Sequence, residues 1–113
     1  MSAEQRRHER AAAQAKAIFV DTKTPGYLRD LSTSGCQIAF MTPVPVKEGQ
    51  TVTIQIVPNH DPEAAPFHMQ LEVRWLRNDP LWFLIGGKTR GVTPLDSESF
   101  KKLVDYYVGA SPP

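Results

Sequence analysis

Phe67-His68-Met69-Gln70-Leu71-Glu72-Val73-Arg74-Trp75-Leu76 is the stretch that decides the fold. Phe67, Met69, Leu71, Val73 and Trp75 fall on one side of an extended chain, and His68, Gln70, Glu72 and Arg74 on the other. Strict alternation over this length reads as a half-buried β-strand, with Trp75 in line for the core. Downstream, Asn78-Asp79-Pro80 turns the chain, and residues 81–88 return as a last long strand. Gly86-Gly87 within it marks a bulge or a close backbone approach. Upstream, residues 58–66 form a polar hairpin loop with three prolines, and residues 51–57 alternate again, with Val52, Ile54 and Ile56 inward.

Further out, the same logic gives a strand over residues 36–40 with Cys36, Ile38 and Phe40 on one side and Gln37 and Ala39 on the other. Shorter strands are expected over residues 26–29 and 15–20, joined by a turn at Pro25-Gly26. The chain ends in a helix. Thr93 is expected as its cap, Pro94 as its first position, and Asp96 as a favourable charge near its start. Phe100, Leu103, Val104 and Tyr107 make one apolar stripe that must be buried against the sheet. Short strands parted by turn signals suggest an antiparallel barrel or a sandwich.

At 113 residues the chain holds one domain with a modest core. A formal net charge of +1 supplies no global field to draw DNA, RNA or a membrane surface, so any anion site must be local. The one cysteine, Cys36, excludes an internal disulfide and fits a reducing compartment. The charged N-terminus does not read as a signal peptide, and no apolar run reaches the ~20 residues that insertion across a membrane needs. A cytoplasmic location is the expectation.

Two short motifs carry chemistry. Asp30-Leu31-Ser32-Thr33-Ser34-Gly35 lies between two expected strands. Asp30 offers acceptors only, Ser32 a hydroxyl that donates and accepts, and Gly35 room for close approach or a positive φ. A plain turn accounts for the same residue types. Near the N-terminus, Arg6-Arg7-His8-Glu9-Arg10 precedes a run of alanines. Its bland reading is a solvated basic tail.

Together, an R-x-x-x-R from Arg6 to Arg10 followed by a D-x-S-x-x-G from Asp30 to Gly35 resembles the signature of the PilZ domain family, bacterial receptors for cyclic di-GMP. The strand pattern and the terminal helix fit that layout, so the resemblance covers nearly the whole chain. It implies an all-β fold, a six-stranded antiparallel PilZ-type β-barrel with one C-terminal α-helix. It divides the chain into a flexible arginine leader (1–14), the barrel (15–93) and the helix (94–109). It also implies a cyclic di-GMP site made by Arg6, Arg10, Asp30, Ser32 and Gly35, with Arg7 placed to reach a phosphate. The last strand departs from the family's usual glycine, apolar, aromatic order, reading Gly86-Gly87-Lys88-Thr89.

The chemistry suits those residue types. An Arg fork donates to both N7 and O6 of guanine, and Arg binds phosphate and stacks on bases better than Lys does. The family resemblance implies that Asp30 and Ser32 face the guanine, and a carboxylate can accept from guanine N1–H and N2–H, an edge that adenine lacks. The expected function is a sensor, not an enzyme, whose arm orders over the ligand and signals to an unidentified protein effector in a process such as motility. The alternative is an interaction module of the same fold without a nucleotide ligand. No cofactor is expected. Gly87-Lys88-Thr89 fails as a P-loop because the earlier glycine falls on Trp82. His8, His60, His68 and Cys36 lack metal-ligand spacing, and nothing completes a nucleophilic triad around Ser32.

Overall fold

The computed structural model describes residues 15–59 and 64–110. Six antiparallel strands close into a barrel in the order β1-β2-β3-β6-β5-β4, with β4 pairing back onto β1. They are β1 (Lys16–Phe19), β2 (Thr24–Leu31), β3 (Gly35–Phe40), β4 (Thr51–Val57), β5 (Phe67–Asn78) and β6 (Phe83–Thr93). One helix, α1 (Glu98–Ala110), follows. The expected all-β barrel with a C-terminal helix is the observed architecture. Closure leaves no free sheet edge among the described strands, an edge that a small β-domain otherwise has to protect.

Alternation builds the interior. Ile38, Ile54, Ile56, Met69, Leu71 and Val73 are fully buried. Leu103, Val104 and Tyr107 of α1 join the same core, and Phe100 meets Phe67 edge to face at 5.7 Å. Ala39 is also buried although it points away from Ile38. It stands between Tyr27 and Leu84 in the ladder, on the face where Tyr27 and Trp82 pair edge to face.

Three register shifts interrupt the alternation. In each, one strand carries an extra residue, which bends it and resets which side chains face out. The shift between Val73 and Trp75 corrects the expectation for Trp75. With Arg74 as the extra residue, Trp75 turns outward and is 36% exposed instead of joining the core. The shift between Gln70 and Leu71 lets β6 run on past Arg90, so that Gly91, Val92 and Thr93 still pair with β5.

Because Thr93 belongs to a strand, it does not cap the helix. Ser97 does. Its hydroxyl accepts from the Phe100 N–H at 3.1 Å, and its carbonyl accepts from Lys101 N–H. The helix therefore begins at Glu98, later than the expected Pro94. Among the described residues, no helix is long and apolar enough to cross a membrane.

Candidate functional site

The third register shift, between Leu28 and Asp30, prepares the site. Leu28 and Leu31 both point into the core, and the extra residue between them leaves Arg29 and Asp30 both exposed. Asp30 is thus carried outward at the end of β2. One carboxylate oxygen accepts from the Leu31 N–H at 3.0 Å, and the other takes no hydrogen bond from the described residues.

Ser32 closes the turn that follows. Its N–H donates to the Gly35 carbonyl at 2.9 Å, and its hydroxyl oxygen accepts from the N–H groups of Ser34 and Gly35 at 3.3 and 3.2 Å. The turn and the motif are therefore one object. The residue types that make a plain turn here also hold Asp30 and Ser32 side by side at the mouth of the β2–β3 hairpin. Gly35 serves close approach rather than an unusual φ. A Cβ there would stand 2.7 Å from the Gly87 carbonyl oxygen.

Opposite this corner stands a second wall from β5 and β6. Together they enclose an open cleft of about 550 Å³ lined by Asp30, Ser32, Ser34, Gly35, Cys36, Gln37, Arg74, Trp75, Gly87 and Lys88. The bulge at Arg74 sends both Arg74 and Trp75 toward it. The indole lies across Gly86, where any side chain would collide with the ring, and the Arg77 guanidinium sits 6.0 Å from the ring centroid. Arg74 and Lys88 bring the cleft its positive charge, and Glu72 binds Arg74 Nε at 3.0 Å. Cys36, beneath the cleft, is 8% exposed. Burial first, and then the neighbouring Asp30 charge, push its thiol up to about 12.

The structure thus brings Asp30, Ser32 and Gly35 together at one cleft. Arg6, Arg7 and Arg10, with the whole 1–14 leader, lie outside the described residues. Sequence reading placed neither Arg74 nor Lys88 at this cleft, and it put Trp75 in the core. The pair Gly86-Gly87 was the signal for this wall, because the glycines lie opposite the β5 residues that the bulge displaces.

The root of the leader is well placed. Ala15 accepts a hydrogen bond from Leu28 N–H at 2.9 Å and donates its own N–H to the Tyr107 hydroxyl at 3.2 Å. That hydroxyl in turn donates to the Leu28 carbonyl. The chain therefore enters the barrel beside Leu28, two residues from Asp30. Burial raises the Tyr107 phenol above its ordinary range, so the hydroxyl keeps the proton it donates.

The family model described as the PilZ domain matches residues 4–109. The chain belongs to the PilZ domain family. PilZ domains are receptors for cyclic di-GMP, binding modules and not enzymes, and the match spans both motifs and the barrel. No curated protein and no solved structure matches the chain closely enough for comparison.

Proposed function

We propose that this PilZ domain is a cyclic di-GMP sensor that closes its N-terminal arginine segment over a ligand seated in the cleft and signals the closure to a partner protein. One observation carries the reading. The motif residues Asp30, Ser32 and Gly35 share a single cleft with an outward indole, Trp75, and two cations, Arg74 and Lys88. That set matches the ligand's parts: an acceptor for a guanine edge, a flat apolar face for a base, and positive charge for phosphate.

Covalent reach supports the role of the arm. Arg10 is five residues from Ala15, so an extended chain spans at most about 17 Å between them, and Asp30 is two residues from Ala15's anchor at Leu28. Arg6 and Arg10 are thus able to meet the cleft from above, one on a guanine Hoogsteen edge and the other on a phosphate, with Arg7 between them. Ordering the arm costs free energy, which bounds the affinity and makes the arm the moving part of the switch.

Calorimetric titration with cyclic di-GMP, with GTP and cyclic di-AMP as controls, tests this. Binding is expected for cyclic di-GMP alone. Arg6→Ala and Arg10→Ala are each expected to weaken it at least about tenfold, the loss of one good bidentate contact, while the barrel stays folded. Wild-type affinity in both variants would remove the arm from the mechanism. No heat with any nucleotide would favour the interaction module without a nucleotide ligand.

A further inference from the structure

We infer that Glu72 is a built-in competitor for the ligand's phosphate at Arg74 and Lys88, and so sets how selectively the cleft accepts anions. The inference rests on the ligand reading above and adds a residue that lies outside the cleft. Glu72 faces outward on β5, directly opposite Lys88 in the β5–β6 ladder. One of its oxygens binds Arg74 Nε at 3.0 Å, and the other binds the Arg90 guanidinium through Nε and Nη2. One carboxylate thus binds two guanidiniums with the Lys88 charge nearby across the ladder, and of these three cations Arg74 and Lys88 line the cleft.

The exposure pattern fits a counter-ion beside the site. The Glu72 side chain is 20% exposed, while that of Arg74 is 54% exposed and keeps its outer nitrogens in reach of solvent and ligand. The hydrogen bond from Arg90, then the nearby Arg74 and Lys88 charges, hold the Glu72 carboxyl below the usual carboxylate range, so it is ionised wherever the ligand is.

A phosphate that reaches Arg74 meets a cation whose charge is already answered. A small anion with nothing else to offer gains little, because it exchanges one carboxylate for another acceptor. A ligand that also stacks a base on Trp75 and presents N–H donors to Asp30 gains from contacts that Glu72 does not oppose. The carboxylate therefore discriminates by taxing the one interaction that every phosphate can make.

Glu72→Gln keeps the size and one acceptor but removes the charge. Wild type, Glu72→Gln, Arg74→Ala and the double variant are titrated with cyclic di-GMP and, separately, with inorganic pyrophosphate, at low and high salt. Glu72→Gln is expected to bind both probes on the order of threefold to fivefold more tightly at low salt, the range of a solvent-exposed charge pair. The gain is expected to be larger for pyrophosphate than for cyclic di-GMP, to shrink with added salt, and to fall by at least half when Arg74 is alanine. That coupling separates a charge effect through Arg74 from a structural role, which salt would not move.

Unchanged or weaker binding by Glu72→Gln, or a gain undiminished in the Arg74→Ala background, would overturn the inference. Glu72→Ala carries the same expected sign if the amide variant does not fold. A wild type that takes no cyclic di-GMP would sink the ligand reading instead, and the pyrophosphate titrations would then decide the role of Glu72 by themselves.

Discussion

The two walls of the cleft are built by different physics. The β2–β3 corner comes from six consecutive residues, Asp30 to Gly35, whose turn is closed by Ser32 and by backbone groups within three residues of it. The opposite wall comes from Arg74 and Trp75 on β5 and Gly87 and Lys88 on β6, which are brought together only by strand register and a bulge. The turn of the first wall is closed by its own residues, while the bulge at Arg29 only aims Asp30 outward. The second exists only when β5 and β6 pair in one specific offset. Damage to the two walls should therefore differ in kind, a loss of strand register on one side and a local loosening of the turn on the other.

Gly87→Ala should give the largest effect. A Cβ at Gly87 would stand 2.0 Å from the Glu72 carbonyl oxygen, a backbone atom that cannot swing away. Separating the strands enough to admit it should cost about 1–3 kcal/mol or more, the usual range for overpacking. Chemical denaturation is expected to show that loss. Amide exchange should rise along the β5–β6 seam before it rises in the Ser32–Gly35 turn. A variant as stable as the wild type would mean that the seam has slack, and the contrast between the walls would fail.

Trp75→Ala tests recognition on the same wall. The indole lies over Gly86 but is 36% exposed, so its removal opens no core cavity. Base stacking on an aromatic ring is worth roughly 1–3 kcal/mol, so cyclic di-GMP affinity should fall on the order of tenfold or more. The unfolding free energy should change less than in Gly87→Ala. Calorimetry and denaturation on the two variants together would place fold and recognition on neighbouring residues. If Trp75→Ala binds like the wild type, the base lies elsewhere in the cleft.

Ser32→Ala probes the local wall and should do a little of both. It removes the acceptor for the Ser34 and Gly35 N–H groups, but these are exposed and water can replace the hydroxyl. A net intramolecular hydrogen bond is worth about 1 kcal/mol, so the expected loss of stability is that or less. Affinity should fall several-fold because Asp30 loses the rigid neighbour that fixes its corner. Normal stability with greatly weakened binding would show that the Ser32 hydroxyl serves the ligand more than the turn.

The same division explains what was legible in the sequence. Period-2 alternation revealed β4, β5 as far as Val73, and the inward set of β3, because burial on one face imposes that pattern directly. The Asp30–Gly35 corner was readable because its geometry is made by adjacent residues. Trp75 was misplaced because alternation has no memory of a bulge. One extra residue, Arg74, ends the alternation, and residues 74–78 are all exposed. The double glycine signalled that something approached closely, yet nothing local said that the approach was the β5 backbone and the indole. The helix start was misplaced for a similar reason, since pairing with β5 claimed Thr93 before it could cap. The arginine arm lies outside the described residues, so its part in the comparison rests on the titrations.

Cys36 gives the smallest prediction, because its effect is absent at neutral pH. It pairs with Leu31 on one side and Gly87 on the other, so it stands beneath both walls. Its folded-state value of about 12 lies above the ordinary 9.0, mainly through burial and secondarily through Asp30. The unfolded chain therefore ionises the thiol above about pH 9 while the folded chain holds the proton. Stability from this residue is complete below pH 9 and is lost progressively as pH rises toward 12. Denaturation of the wild type and Cys36→Ala across that window should show the wild type losing its advantage at alkaline pH. Tyr107, whose phenol is also raised by burial, should contribute an alkaline loss of its own, common to both proteins. Asp30→Asn should make the Cys36 loss smaller and end it at lower pH, since the neighbouring charge that disfavours the folded-state thiolate is gone but burial remains. A difference between wild type and Cys36→Ala that stays flat to pH 11 would mean that the thiol reaches water, and that the two walls do not seal the core beneath the cleft.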